Sequence, residues 1–77
     1  MEINIVALDQ IIYQGKAEGI LVPAKDGQLT ILPNHIPLIT VLKEGKIVIL
    51  GKEKKEFSIR EGILMVKKNK VDVLVTV

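Results

Sequence analysis

What most constrains this chain is a hydrophobic repeat of two that recurs along its length where a helical repeat never does. At the carboxyl end Val71, Val73, Val75 and Val77 fall on one side of an extended backbone, with Asp72, Leu74 and Thr76 on the other, because successive strand side chains point to opposite faces. Phe57 and Ile59 alternate with Glu56, Ser58 and Arg60 in the same way. The runs Ile47 to Leu50 and Ile63 to Val66 are apolar on both faces. In a sheet that shows one side to water that would be wasteful, so these runs imply cover on both sides.

Breakers space the runs evenly. Asp26-Gly27 reads as a tight turn, and Gly45, Gly51, Gly62 and the Lys68-Asn69 pair mark later reversals. This spacing predicts strands over 3–7, 11–17, 19–24, 28–32, 37–42, 46–50, 54–59, 62–67 and 70–76, and hence an all-β antiparallel sandwich or barrel. The one competing helix, Pro37 to Glu44, carries Ile39, Thr40 and Val41 inside it. Strand suits those β-branched side chains better.

A chain of 77 residues holds one domain, residues 1–77, close to the smallest size that a single core stabilises. There are no cysteines, so neither disulfides nor thiolate metal sites contribute. Hydrophobic residues make up 48% of the chain, with Tyr13 and Phe57 the only aromatics, which leaves the core to Ile, Val and Leu. Eleven basic residues are interspersed with nine acidic ones for a net charge of +2, a solubility balance and not a nucleic-acid footprint. The start, MEINIVALDQ, lacks a basic segment ahead of an apolar one, and no apolar run approaches the ~20 residues that span a bilayer. The expectation is a soluble domain whose membrane association runs through a partner.

The stretch GQLTILPNHIPLIT, residues 27–40, sets Pro33 and Pro37 around Asn34, His35 and Ile36. Locked proline φ angles stiffen such a loop and lower the ordering cost of a contact made through it. Asn34 suits the third position of a turn. His35 has no second histidine and no cysteine to share a metal with, and nothing local to it supplies a nucleophile with an orienting carboxylate. If residues 37–42 are extended, Leu38, Thr40 and Leu42 point one way and Ile39 and Val41 the other. Both sets are largely apolar, so one belongs to the core. The other meets a partner or another part of the same chain. Thr40, the polar member, marks its own face as the outward one.

The pattern D-G-x-L-x-I-L-P-x-H-x-P-L-I-T-x-L-x-x-G from Asp26 to Gly45 resembles the epsilon subunit of F-type ATP synthases, called delta in mitochondria. Ile12-Tyr13-Gln14-Gly15, Val22-Pro23, Glu61 to Val66, Asn69-Lys70-Val71 and Val73-Leu74 match the same family in order, so the resemblance covers essentially the whole chain. It implies a flattened antiparallel β-sandwich of about nine to ten short strands, a non-catalytic rotor part that binds the gamma subunit and the c-ring of a proton- or sodium-translocating complex, without cofactor or metal. It further implies a gamma contact through Ala7, His35, Leu38, Thr40 and Leu42, and a c-ring contact through Asp26, Gln28 and Asn34. Many members carry an acid where Gln28 stands, so an ion pair there gives way to a neutral hydrogen bond or moves to Asp26. The family's inhibitory helical hairpin would follow Val77; the expectation is a short form or a shortened chain, to which that role does not carry over. The implied setting is a peripheral membrane complex on the cytoplasmic face of a bacterial inner membrane. A histidine that is merely structural stays open beside the gamma contact. The run KEKKE, residues 52–56, reads as a solvated hairpin tip. The alternative function, a small β-barrel-like nucleic-acid-binding module, would need stacked aromatics on a cationic groove.

Overall fold

The computed structural model describes residues 1–77 as nine strands joined by turns. In chain order these are β1 (Glu2–Ala7), β2 (Gln10–Lys16), β3 (Gly19–Ala24), β4 (Gly27–Ile31), β5 (Leu38–Leu42), β6 (Gly45–Leu50), β7 (Lys55–Ile59), β8 (Glu61–Lys67) and β9 (Lys70–Thr76). Every expected strand is present with its ends within one residue of the expected ones. The segment that competed as a helix is the strand β5.

The strands form one curled sheet in the order β2-β1-β9-β8-β5-β3-β6-β7, with β4 on the other edge of β3. β3 is where the sheet folds over. Its first residues pair with β6 through Gly19, Ile20 and Leu21, while its last, Ala24, bridges Leu42 of β5. Lys25 N–H donates to Val41 O at 3.0 Å and Lys43 N–H to Pro23 O at 2.8 Å, which secures that corner. Two halves result, β2-β1-β9-β8-β5 and β4-β3-β6-β7, and their inner faces share a single core. That core runs from Ile3 and Ile5 through Ile20, Val22, Ile31, Ile47 and Ile49 to Leu64, Val66, Val71, Val73 and Val75. The two aromatics close an open side: Tyr13 of β2 and Phe57 of β7 lie 6.0 Å apart, tilted at 51°, an edge-to-face type of contact.

One pairing departs from the antiparallel expectation. β1 and β9 run parallel, with Ile3 opposite Val71 and Ile5 opposite Val73. Residues 71–75 follow the expected alternation, with Val71, Val73 and Val75 buried and Leu74 exposed. Burial on both faces holds for Ile47, Val48 and Ile49. The other doubly apolar run differs: Leu64 and Val66 are buried, but Ile63 remains 48% exposed.

Turn chemistry fixes the ends. Gly27, at φ +130°, takes the conformation that side chains resist after Asp26. Asn34 and Asn69 both have positive φ, a region that asparagine tolerates better than most residues. The β1–β2, β3–β4, β5–β6 and β7–β8 turns lie at one end of the molecule, and the β2–β3, β4–β5, β6–β7 and β8–β9 connections lie at the other.

Candidate protein-docking face

The orientation of β5 decides where an outward apolar face can lie. β5 pairs with β8 so that Thr40 stands opposite Leu64 and Leu38 opposite Val66, and both partners are core residues. Opposite residues on paired strands share a face, so Leu38, Thr40 and Leu42 point inward. Leu42 is 1% exposed. The expectation that Thr40 marks an outward face is therefore corrected, and Leu42 is a core residue and not a surface one. Ile39 and Val41, assigned inward from the sequence, are instead 69% and 53% exposed. With both faces of the segment apolar, alternation sorts residues into two sets but gives neither set a sign. The register with β8 supplies it.

Val41 begins an apolar row that crosses four strands. Val41 is opposite Ile63 on β8, Ile63 opposite Leu74 on β9, and Leu74 opposite Val6 on β1. Beside it Ile39, Met65, Asp72 and Asn4 form a second row in the same register. Leu8, fully exposed at the β1–β2 turn, overhangs a depression of ≈ 500 Å³ lined by Val41, Ile63 and Leu74. Scattered exposed apolar residues are ordinary, but a contiguous patch of them marks an interaction surface. Leu74 was the legible clue, an apolar residue on the polar side of its strand's alternation. The row that it joins depends on pairing between strands far apart in sequence.

The remaining expected site residues are dispersed. Ala7 is half-buried and packs against the core. His35 is half-buried, and its Nδ1 lies 2.7 Å from Ile36 O. A carbonyl only accepts, so Nδ1 carries the hydrogen in this contact. Asn34 N–H donates to Asn69 Oδ1 at 3.0 Å, tying the proline loop to the β8–β9 turn. Asp26 and Gln28 are exposed where β4 begins, and Asn34 follows the end of that strand. These three are thus strung along and beyond β4 and not gathered at one point. Leu32 and Ile36 are exposed on either side of Asn34. Lys46 and Lys54 both reach Glu56, at 3.6 and 3.9 Å, across exposed positions, which is the solvated surface expected near KEKKE. No group of three or more His, Asp or Glu is placed to hold a metal ion. Tyr13, tilted against Phe57, also has Lys55 Nζ over its ring at 5.6 Å from the centroid.

A family model described as the ATP synthase, Delta/Epsilon chain, beta-sandwich domain matches residues 1–77. The chain belongs to that family. Among curated relatives, the ATP synthase epsilon chain of Hydrogenovibrio crunogenus is 37% identical over 75 residues, covering 96% of this chain and 52% of the relative. The plastid ATP synthase epsilon chain of Prototheca wickerhamii is 40% identical over 77 residues, covering 97% and 57%. The chain thus spans little more than half the length of these relatives. Among solved structures, a chain in the Euglena gracilis mitochondrial ATP synthase (OSCP/F1/c-ring) superposes with a TM-score of 0.90 at 19% identity, over 97% of this chain and 49% of that one. A chain in the central stalk/c-ring structure of the Tetrahymena thermophila enzyme superposes at 0.83 and 16%, over 99% and 63%. At these identities the likeness shows the fold, and the fold is that of the family's sandwich.

Proposed function

We propose that this chain is the sandwich part of a non-catalytic central-stalk subunit in an F-type ATP synthase. It docks on the gamma subunit through the outer face of β1-β9-β8-β5, contacts the c-ring along the free edge of β4, and helps couple ion translocation to ATP synthesis. The observation that carries this reading is the apolar row Val6–Leu74–Ile63–Val41, which nothing in the chain covers. Family membership supplies the candidate partner. On the β4 edge Asp26, Gln28 and then Asn34 offer polar groups, and with a glutamine at position 28 the contact there is a neutral hydrogen bond. His35 and the stiff loop around it present Leu32 and Ile36 at the opposite end from Asp26. The continuous ladder, with 40 of 47 backbone hydrogen bonds inside strands, makes the domain a rigid coupling piece. It works at the membrane through the complex, on the cytoplasmic face if the source is bacterial.

The test is the affinity of the chain for the gamma subunit. Replacing Ile63 with Arg puts an unpaired charge into the docked surface, and affinity should fall by at least about 100-fold, the ~2.7 kcal/mol typical of a central interface residue. Circular dichroism should show the same fold. Gamma binding by Ile63→Arg at parental affinity would overturn the assignment of this face.

A further inference from the structure

The second outward row contains two groups that the fold leaves unanswered. Asn4 and Asp72 are opposite one another in the parallel β1–β9 register, and Met65 follows on β8. They line a depression of ≈ 350 Å³ directly beside Leu74 and Ile63. Asn4 Oδ1 is sealed from solvent without a hydrogen-bond partner. Asp72 is half-buried. Both ion pairs of the chain are made by Glu56 on the other half of the sheet, so no lysine or arginine neutralises Asp72. A buried acceptor without a donor is costly, and a half-buried carboxylate that no cation of the chain neutralises is free to pair with one brought by a partner. Neither group packs into the core, so the sandwich would be served as well by apolar residues at both positions.

From this juxtaposition we infer that Asn4 and Asp72 form an acceptor pair that receives one cationic side chain, an arginine, from the apolar protein surface docked on this face. The inference rests on reading the face as the gamma-subunit surface, and it adds the feature that sets partner choice and register. A guanidinium suits the site because its planar fork of donors serves two neighbouring acceptors at once. The Asn4 amide turns easily about its broad terminal torsion, which brings its oxygen toward an arriving donor. The surrounding Val6, Ile63 and Leu74 exclude water on docking, and an ion pair is stronger where water is excluded. A carboxylate at this point also argues against an anionic membrane surface as the occupant.

The experiment measures the affinity of the gamma subunit for the parent chain and for Asp72→Asn, Asp72→Leu and Asn4→Leu. A partner cation left buried without its carboxylate should weaken Asp72→Asn about 30-fold or more. Asp72→Leu should weaken at least as much, and Asn4→Leu in the same direction by less. Thermal midpoints should be equal to or above the parent's, since a half-buried unpaired charge has been removed. The sign for Asp72→Leu is decisive. Binding as tight as the parent's, or tighter, would mean that the partner lays apolar surface there, and would overturn the acceptor pair. Asp72→Asn, nearly identical in shape, keeps the test open should the leucine variant fold poorly. Loss of binding in Ile63→Arg with none in Asp72→Leu would overturn this inference and leave the docking face standing, whereas parental binding by both would overturn both.

Discussion

Across the outside of β4-β3-β6-β7 one register row reads Thr30–Leu21–Val48–Glu56; across β1-β9-β8-β5 the matching row reads Val6–Leu74–Ile63–Val41. The first row is apolar in its middle and polar at both ends, and Val48 is only 9% exposed. Lys46 and Glu56 pair nearby at 3.6 Å, and the stems of such long side chains cover apolar surface. The second row has no polar end, and Leu74 and Ile63 remain about half exposed, at 53% and 48%. One half of the sheet finishes its own surface, and the other leaves an apolar row exposed. Hydrophobic content alone would not separate them, since both rows contain aliphatic residues. What differs is which residue types stand at the ends of each row.

The largest expected effect tests the inward and outward sides of β5. Leu42→Ala should cost about 2–5 kcal/mol as a core cavity, lowering the thermal midpoint by roughly 10 °C or more. Val41→Ala, one residue along on the outer face, should cost ~0.5 kcal/mol or less. Equal losses in a thermal melt would break the assignment of the open face. Next comes the contrast between halves. Thr30→Arg on the finished half should leave gamma affinity within about twofold, where Ile63→Arg loses about 100-fold; equal losses would mean that both halves dock.

A smaller effect is expected from the close approach within the open half. A Cβ added at Gly62 would lie 2.6 Å from Leu74 O and 3.1 Å from Val75 Cγ1. Gly62→Ala should therefore destabilise by about 1–3 kcal/mol, the usual range for overpacking, as read by denaturant midpoint. No loss would show that β8 and β9 have more room than this. The smallest concerns the finished half's charges. Glu56→Gln should change stability by ~0.5 kcal/mol or less, because exposed pairs contribute little, and a larger salt-sensitive loss would raise their importance.

How far the sequence reaches is clearest on β5 and β9. Strand positions were legible because Gly, Asn and Asp sit where turns demand them, as at Asp26-Gly27 and Asn69. The core face of β9 was legible because Val71, Val73 and Val75 are uniformly apolar and alternate with a set that holds Asp72 and Thr76 beside Leu74. On β5 no polar partner supplied a reference, and the single threonine pointed the wrong way. Thr40 is half-buried beside core residues, which a hydroxyl tolerates, while Ile39 and Val41 face outward. The parallel β1–β9 pair was not legible either, because it joins residues at opposite ends of the sequence and no local signal encodes it. The Asn4–Asp72 juxtaposition depends on that pair and was hidden with it.

The same parallel pair sets how the domain carries a pull along the chain. β1 starts beside the β8–β9 turn and β9 finishes beside the tip of β1, so a force entering at Thr76 and leaving at Glu2 runs lengthwise along two neighbouring strands. Their evenly spaced cross-bonds, from Glu2 opposite Lys70 to Val6 opposite Leu74, are then stretched together and not peeled one after another. Resistance to forced unfolding is a matter of unfolding rate, and a lengthwise load must break the whole ladder in a single event. The two strands that β-sheet statistics would rank slightly the weaker pairing thus form a mechanical clamp along the axis of the domain.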